Sequence, residues 1–370
     1  LFDRRQKPSL FQEFSNGKLF VPLVMSPSKK RKRREEKKLA LLVVSWWAIE
    51  ALQLIEEEPT TKRRRRLRNY ERLFEVHYVL LWRKYFCPSL PRHLQAPPDE
   101  FRKKYRMSEC LFYRILEDVV RNDAYFVRKK DALGNWGLYP EQKILAALKF
   151  LATGGSYEEV VGEYFNLAQP TLWFSVQHFC DGIIQEYEQE YLRSPTQQDV
   201  NRLTRENKER CFPGMLGSLD CMHWSWHNCP TAWKGQYTGK NPGPTVVLEA
   251  ICSYDTWFWH AYFGMSGANN DINVLHSSPL VAQLFSGSIP TPDEGYVING
   301  RSREKPYFLT DGIYPNWGCF VKSLPVAVTE AEKKFVKIQE GVRKDVERSF
   351  GVLFSQFHIL HNVLLELPTC

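Results

Sequence analysis

The sequence lacks any apolar run long enough to cross a lipid bilayer. Its most apolar stretch, Leu39 to Ile49, has only about half the length that a spanning helix needs, and it runs into Glu50. We therefore expect a buried or amphipathic helix there and no membrane anchor. A signal-peptide pattern and a C-x-x-C motif are also lacking. The nine cysteines are accordingly predicted to be reduced intracellular thiols rather than a disulfide framework.

The composition favours a folded protein with an anionic partner. Hydrophobic residues make up 43% of the chain and aromatic residues 14%, which is enough for a sizeable core. Fifty Lys and Arg residues against 42 Asp and Glu give a net charge of +8, which favours nucleic acid or an anionic membrane surface as partner. At 370 residues, two folded parts and a tail are expected. The chain begins at Leu1 rather than Met, which suggests that its true start is missing.

Residues 1–98 are predicted to form a basic, partly disordered N-terminal tail with one or two helices. They carry two basic blocks, KKRKRR at Lys29 to Arg34 and KRRRR at Lys62 to Arg66. Such blocks are typical of a nuclear import signal or a phosphate-binding arm. A solvated flank without either role is the alternative.

Residues 99–200 are predicted to be a helical region. The pattern is helical throughout from Phe101 to about Arg193, with three successive segments at Glu141 to Ala152, Tyr157 to Tyr164 and Gln169 to Cys180. Their lengths and short connections are typical of a helix-turn-helix whose third member enters a DNA groove. An ordinary helical packing domain is the alternative, because the third segment has no dense basic face.

Residues 211–360 are predicted to be an α/β domain. Four apolar runs between turns indicate strands, at Met215 to Asp220, Thr245 to Tyr254, Trp257 to Met265 and Pro306 to Thr310. A closing helix is indicated by one apolar stripe, formed by Phe335, Ile338, Val342, Val346, Phe350 and Leu353. These elements predict a ribonuclease-H-like mixed sheet with flanking helices, although the pattern does not fix the strand order.

Three carboxylates in this domain are candidates for a metal site. Asp220 is expected at or near the end of the first strand, Asp311 directly after the fourth, and Glu347 at the edge of the helix stripe. If they converge, they offer the oxygen ligands that Mg²⁺ prefers. Two such ions can hold the attacking and leaving oxygens of a phosphoryl displacement. The alternatives are a turn at Asp311-Gly312 and a solvated helix face at Glu347.

Two neighbouring patterns invite other interpretations. Cys221, His223, His227 and Cys229 suggest zinc, but their spacing within one short segment does not easily wrap a tetrahedral ion. His223 is instead expected near the metal pocket, on the same strand face as Asp220. The sequence GQYTGK from Gly235 lacks the length and context of a phosphate-binding loop. Its neighbourhood offers Lys234 and Lys240 as DNA phosphate contacts, with a plain exposed loop as the alternative.

Five long motifs allow a resemblance to be stated. They are FRKKYRMSECLFYRIL from Phe101, PGMLGSLDCMHWSWHNCPTAWKGQYTGK from Pro213, GANNDINVL from Gly267, YFLTDGIYPNW from Tyr307 and RKDVERSFGVL from Arg343. With these motifs the chain resembles the PIF/Harbinger transposases, in particular the plant transposon protein group. The resemblance covers roughly Phe101 to Leu360.

The resemblance implies a ribonuclease-H-like catalytic domain with an Asp, Asp, Glu triad that binds two divalent ions, Mg²⁺ or Mn²⁺. The triad maps onto Asp220, Asp311 and Glu347. Thirty-five residues separate the last two acids, a spacing typical of such triads. Asp271 is a competing second acid and is assigned an auxiliary role, as is His223. Around Glu347, three cations are expected to bind DNA, namely Arg343, Lys344 and Arg348.

This sequence departs from the family pattern at Gln356, near which relatives usually have an arginine, and it stops at Cys370, where relatives often continue. The first departure removes a potential phosphate contact. The second is expected of a truncated or decayed element copy.

The function implied by the resemblance is that of a nuclear transposase of a cut-and-paste element. It would cleave element ends by two-metal hydrolysis and transfer the 3′-hydroxyl strand to target DNA. The implied partners are terminal inverted repeats, an A/T-rich target, a Myb-like accessory DNA-binding protein and further copies of the chain. One alternative is a domesticated, non-catalytic chromatin or protein-interaction module. A repair-like nuclease without transposition is another, and it shares the same chemistry.

Overall fold

The computed structural model describes residues 36–41, 43, 73–86, 96–97, 99–155, 157, 159–160, 165, 167–226 and 229–362. Both basic blocks of the predicted tail lie outside these ranges, as do most of the predicted segment from Tyr157 to Tyr164 and most of the apolar stretch from Leu39 to Ile49. Within the described ranges, no helix combines the length and apolar character that a membrane span requires.

The N-terminal half of the described chain is mainly helical. Its helices are α1 (Leu73–Phe86), α2 (Glu100–Tyr105), α3 (Glu109–Asn122), α4 (Pro140–Thr153), α5 (Gln169–Tyr191) and α6 (Gln197–Glu209). Local signals fix their ends. The Ser108 hydroxyl caps α3 by accepting the Leu111 N–H, Gly154 ends α4 in the left-handed conformation, and Thr196 and Asp199 form a capping box on α6.

Two predictions for this half were wrong. The pattern is not helical throughout, because residues 123–139 between α3 and α4 leave the helical conformation and contain a short β-bridge. The last predicted segment also does not end at Cys180, since α5 continues to Tyr191. Its buried side chains, including Phe179, Ile183 and Tyr187, pack into the core, so packing extends this helix beyond the predicted end.

A mixed five-stranded sheet lies at the centre of the C-terminal half. It contains β1 (Met215–Ser225), β2 (Thr245–Cys252), β3 (Phe258–Ser266), β6 (Tyr307–Leu309) and β7 (Phe320–Val321), in the order β3-β2-β1-β6-β7. The pairs β1/β2 and β2/β3 are antiparallel, whereas β1/β6 and β6/β7 are parallel. A separate two-stranded sheet joins β4 (Tyr296–Ile298) and β5 (Arg301–Arg303). All four predicted strands are present.

The first strand is longer than predicted. β1 runs to Ser225, and its register with β2 is continuous from Ser218 opposite Cys252 to Ser225 opposite Thr245. Asp220 therefore lies in the middle of the strand and not at its end. The apolar pattern stops early because the second half of β1 is more polar and only partly buried, while its backbone pairing continues.

Helices cover both faces of the sheet. On one face, α6, α8 (Asp271–Ser277) and α9 (Pro279–Ser286) pack on Leu219, Ile251 and Phe308. On the other face, Trp224, Phe258 and Phe263 belong to the same core cluster as the buried residues of α3, α4 and α5. The helical region and the sheet thus share one hydrophobic core. The boundaries drawn at residues 98, 200 and 211 stay predictions.

The predicted closing helix is two helices, α10 (Glu330–Arg343) and α11 (Asp345–Gln356), separated at Lys344. Two shorter helices, α7 (Lys234–Tyr237) and α12 (Ile359–Asn362), complete the described elements. The apolar stripe divides at the break. Phe335, Ile338 and Val342 pack near Phe212 and Tyr307, whereas Val346, Phe350 and Leu353 join the shared core. The break places Arg343 at the end of one helix and Glu347 in the first turn of the next.

Candidate active site

Asp220 is the central acid of the candidate site. It lies opposite Ala250 in the middle of β1, and its side chain is 15% exposed. The Cys221 backbone N–H donates to its Oδ1 over 2.9 Å, and the Arg343 guanidinium Nη1 lies 2.9 Å from its Oδ2. This acid is therefore held in place by strand pairing, one amide and one arginine, at the edge of solvent.

Glu347 reaches the same arginine from the following helix. Its Oε1 lies 2.9 Å from Nη2 of Arg343, four residues earlier in the chain, and its side chain is 44% exposed. One guanidinium therefore bridges the carboxylates of Asp220 and Glu347. Since the planar guanidinium group offers several donors in a fixed fork, it holds the two acids on one side of the sheet.

Asp311 joins this group electrostatically. It lies two residues after β6, and its Oδ1 accepts the Ile313 N–H over 2.9 Å, so the turn role weighed from the sequence is present. The pKa of Asp220 is raised to about 6, mainly by burial and in smaller part by the charges of Asp311 and Glu347, although Arg343 and the Cys221 N–H lower it. The charges of Asp311 and Glu347 therefore both act on Asp220.

The donor chemistry of these acids suits a hard divalent cation, but the arrangement is not a preformed metal cage. Among the described residues, no group of three or more His, Cys, Asp or Glu side chains is placed to hold a metal ion. Arg343 supplies the positive charge between Asp220 and Glu347 instead. The carboxylate oxygens are ligands of the kind that Mg²⁺ prefers, and in this structure they pair with a guanidinium. His227 of the discounted zinc pattern lies outside the described residues.

The opposite face of β1 carries a second polar group. His223 lies three residues after Asp220, so strand alternation puts it on the other face, and the prediction of a shared face was wrong. Its Nδ1 lies 3.2 Å from the Thr245 hydroxyl. Asp271 begins α8. Burial raises the pKa of Asp271, as does Asp311, while His223 and Lys240 lower it. The charge of Asp311 therefore acts on both Asp220 and Asp271.

A buried acid on this second face was missed from the sequence. Glu249 is 0% exposed and its Oε1 lies 3.1 Å from Nε2 of His260, which is 7% exposed and also contacts the Ser278 hydroxyl. Beside it, Cys221 contacts the Tyr314 hydroxyl over 3.4 Å, and burial raises the pKa of this thiol. The available signal was a single glutamate in an otherwise apolar strand, TVVLEAIC.

The predicted DNA contacts differ in what they touch. Lys234, Lys240 and Lys344 are exposed. Arg348 donates to the Tyr254 carbonyl and lies 3.1 Å from Asp345, so its charge is partly compensated within the fold.

Gln356, the departure from the family pattern, has a structural role. Its amide donates to the Arg106 carbonyl over 2.6 Å and so links α11 to the helical region.

Comparison with known proteins supports a transposon-related family. Residues 189–366, just under half of the chain, match the sequence model of a family described as Plant transposon protein. The match includes Asp220, Asp311 and Glu347 and excludes the helices before residue 189. Comparisons with curated proteins and with solved structures give no match. The C-terminal half of this chain, with its candidate acids, is therefore similar to plant transposon proteins.

Proposed function

We propose that this chain is a transposase of the PIF/Harbinger superfamily that cleaves element ends and joins the freed 3′-hydroxyl to target DNA. The observation that carries the proposal is the bridging of Asp220 and Glu347 by Arg343, with Asp311 close enough to raise the Asp220 pKa. These three acids are distant in sequence, and they are the ones that the family resemblance selects. The plant transposon match over the same residues supports the reaction class.

The strand arrangement supports a ribonuclease-H-like fold for this domain. Three antiparallel strands are followed at one edge by two strands parallel to β1, and helices flank both faces. In this proposal Asp220 comes from the central strand, Asp311 from the end of the neighbouring parallel strand and Glu347 from a helix on one face. Each acid is thus supplied by a different element of a rigid scaffold.

Asp220, Asp311 and Glu347 would hold two Mg²⁺ or Mn²⁺ ions. When bound, such ions lower the pKa of water or of a 3′-hydroxyl and stabilise the leaving oxygen of the phosphodiester. The protein would contribute the carboxylate oxygens, and Arg343 would have to leave its place between them. Since a guanidinium also pairs well with phosphate, Arg343 is free to contact the DNA backbone once it leaves the acids.

The helical region and the exposed lysines would bind the DNA. Lys234, Lys240, Lys344 and Arg348 are exposed and would offer phosphate contacts. We propose terminal inverted repeats and an A/T-rich target as substrates, a nuclear site of action, and self-association to pair two ends. A Myb-like accessory protein and a helix-turn-helix role for α4 and α5 belong to the same proposal.

Nicking of DNA by the purified chain tests this function. We expect Mg²⁺-dependent nicking of a duplex carrying the element end, and its loss in Asp311→Asn and in Glu347→Gln. The matched control is Glu330→Gln, because Glu330 lies on the adjacent helix α10 and pairs only with Lys333 over 2.9 Å in the part of the chain described. The control is expected to nick like the wild type.

Equal activity in all four proteins would identify a contaminating nuclease and overturn the proposal. DNA binding without metal is measured in parallel, so that loss of nicking is separated from loss of substrate. Circular dichroism of each variant shows whether the fold is kept.

A non-catalytic interaction module is the second candidate, and one observation favours it. Arg343 already neutralises two of the acids, and the described residues contain no preformed metal group. Calorimetric titration with Mn²⁺ and duplex DNA separates the two functions. The catalytic proposal expects metal binding that strengthens when DNA is present and disappears in Glu347→Gln.

A further inference from the structure

A basic hairpin, residues 127–137, projects between α3 and α4. Lys130 and Trp136 form an antiparallel bridge, and the Gly137 N–H donates to the Lys129 carbonyl over 2.9 Å. The Asp131 N–H donates to the Asn135 carbonyl over 2.8 Å. Backbone hydrogen bonds therefore fix both arms of the hairpin.

The one acid of the basic hairpin, Asp131, accepts hydrogen bonds within the turn. The Asp131 carboxylate accepts the N–H groups of Asn135 and Leu133 over 2.8 and 2.9 Å. These donors, that of Asn135 first, lower the pKa of Asp131. Because its Oδ1 faces the turn amides, this carboxylate is committed to holding the loop.

Three consecutive cations line one arm. Arg128 lies 3.7 Å from the ring centroid of Tyr139 and 5.2 Å from that of Trp136, and it donates to the Gly137 carbonyl. Lys130 lies 5.0 Å from the ring of Trp136. Aromatic faces thus hold two of the cations without neutralising them, since cation–π contacts leave the formal charge unchanged.

The two lysines keep their charge available to solvent. Both Lys129 and Lys130 are exposed, and neither forms an ion pair with a described acid. Lys129 also lowers the pKa of the half-buried Lys143, although burial is the larger cause, so positive charge is concentrated around the hairpin. A rigid frame that holds uncompensated cations in fixed positions loses little entropy when it binds a repeating polyanion.

We infer that the basic hairpin is a DNA-contact arm in which Lys129 and Lys130 bind backbone phosphates, with Trp136 as the positioning residue that fixes the arm. The inference rests on the proposed function for the identity of its ligand. It adds a contact site outside the transposon-family match, which begins at residue 189.

The test compares two double variants of the full chain that remove the same charge. Lys129→Gln with Lys130→Gln changes the hairpin, and Arg205→Gln with Lys208→Gln changes two exposed cations on α6. Fluorescence anisotropy measures binding to a short labelled duplex in EDTA, over a range of salt concentrations. We expect the hairpin variant to bind at least about tenfold more weakly at low salt, and its slope of log affinity against log salt to fall by about two. The α6 variant should change little.

Equal losses in the two variants, or an unchanged salt slope in the hairpin variant, would overturn the inference. So would a hairpin variant that loses affinity for a labelled poly-glutamate peptide while it keeps affinity for DNA, because the arm would then bind acidic protein. Nicking is scored separately. If no protein nicks but the hairpin variant alone loses DNA affinity, the proposed catalysis fails and the contact arm holds. If the wild type nicks and the hairpin variant binds normally, the reverse is true.

Discussion

The acids on the two faces of the central sheet differ in their exposure to solvent. On one face, Asp220 shares Arg343 with Glu347, which is 44% exposed, so solvent and a substrate can reach the group. On the other face, Glu249 and His260 contact each other at 0% and 7% exposure. An acid that acts on DNA has to be reached by it, whereas a sealed pair can only support the fold. Under the proposed function, chemistry belongs to the Asp220 face and stability to the Glu249 face.

The largest effect should come from the central acid of the accessible face. Asp220→Asn keeps the shape of the side chain but removes a proposed metal ligand, so nicking under single-turnover conditions should fall by at least about a thousandfold. DNA affinity measured in EDTA should not fall. Activity within tenfold of the wild type would remove Asp220 from the chemistry and break the assignment of the two faces.

Substitution on the buried Glu249 face should lower the free energy of unfolding. His260→Ala leaves the Glu249 carboxylate buried without its partner, which should cost about 3–5 kcal/mol in the free energy of unfolding. Urea denaturation measures this loss. Glu347→Gln on the accessible face is the contrast and should change stability by less than about 1 kcal/mol, because that ion pair is partly exposed. Similar losses in both variants would contradict the division.

The pH dependence of stability should report the Asp220 face. Burial raises the folded pKa of Asp220 from 3.8 to about 6, so the folded chain holds this proton more tightly than the unfolded chain. Stability from this group is complete below about pH 4 and is lost as pH rises towards about 6, a change of about 3 kcal/mol. In EDTA, the advantage of Asp220→Asn over the wild type should grow over that range. A constant difference would show that Asp220 titrates normally.

The smallest effect is expected at Asp271, the competing second acid. It lies beside Asp311 but begins a helix on the His223 face, and Arg343 does not contact it. Asp271→Asn should lower nicking by less than about tenfold, through the charge it contributes near Asp311. A loss as large as that of Asp220→Asn would move the second metal ligand from Asp311 to Asp271.

Sequence patterns located the strands well because alternating apolar runs report burial directly. Met215 and Thr245 begin strands as predicted. The sequence patterns failed where backbone pairing continues without apolar side chains, as in β1 after Asp220. The single predicted stripe across Lys344 also gave no sign of the helix break. Apolar residues keep spacings of three and four across it, because the backbone angles of Lys344 are nearly helical. Periodicity reports the buried face and not the direction of the axis.

The site residues could be selected from the sequence only through family resemblance. The sequence pattern placed two acids near strand ends and a third at the edge of a helix stripe, but it did not show that Arg343 would lie between two of them. Contacts of this kind join residues far apart in the chain, and no local pattern encodes them. The Glu249–His260 pair is similar, because a lone glutamate in a strand does not reveal its partner. The hairpin at Asp131 was missed although its Asp and Gly are typical turn residues.

The hydrophobic core shared by α3, α4, α5 and the sheet has a practical consequence for dissecting this protein. A fragment that begins at residue 189, where the similarity to plant transposon proteins begins, would expose Trp224, Phe258 and Phe263 on an apolar surface. Such a fragment should aggregate when it is expressed alone. The proposed DNA binding and the proposed cleavage are therefore best studied in the full chain, and selection acting on either one would also constrain the other.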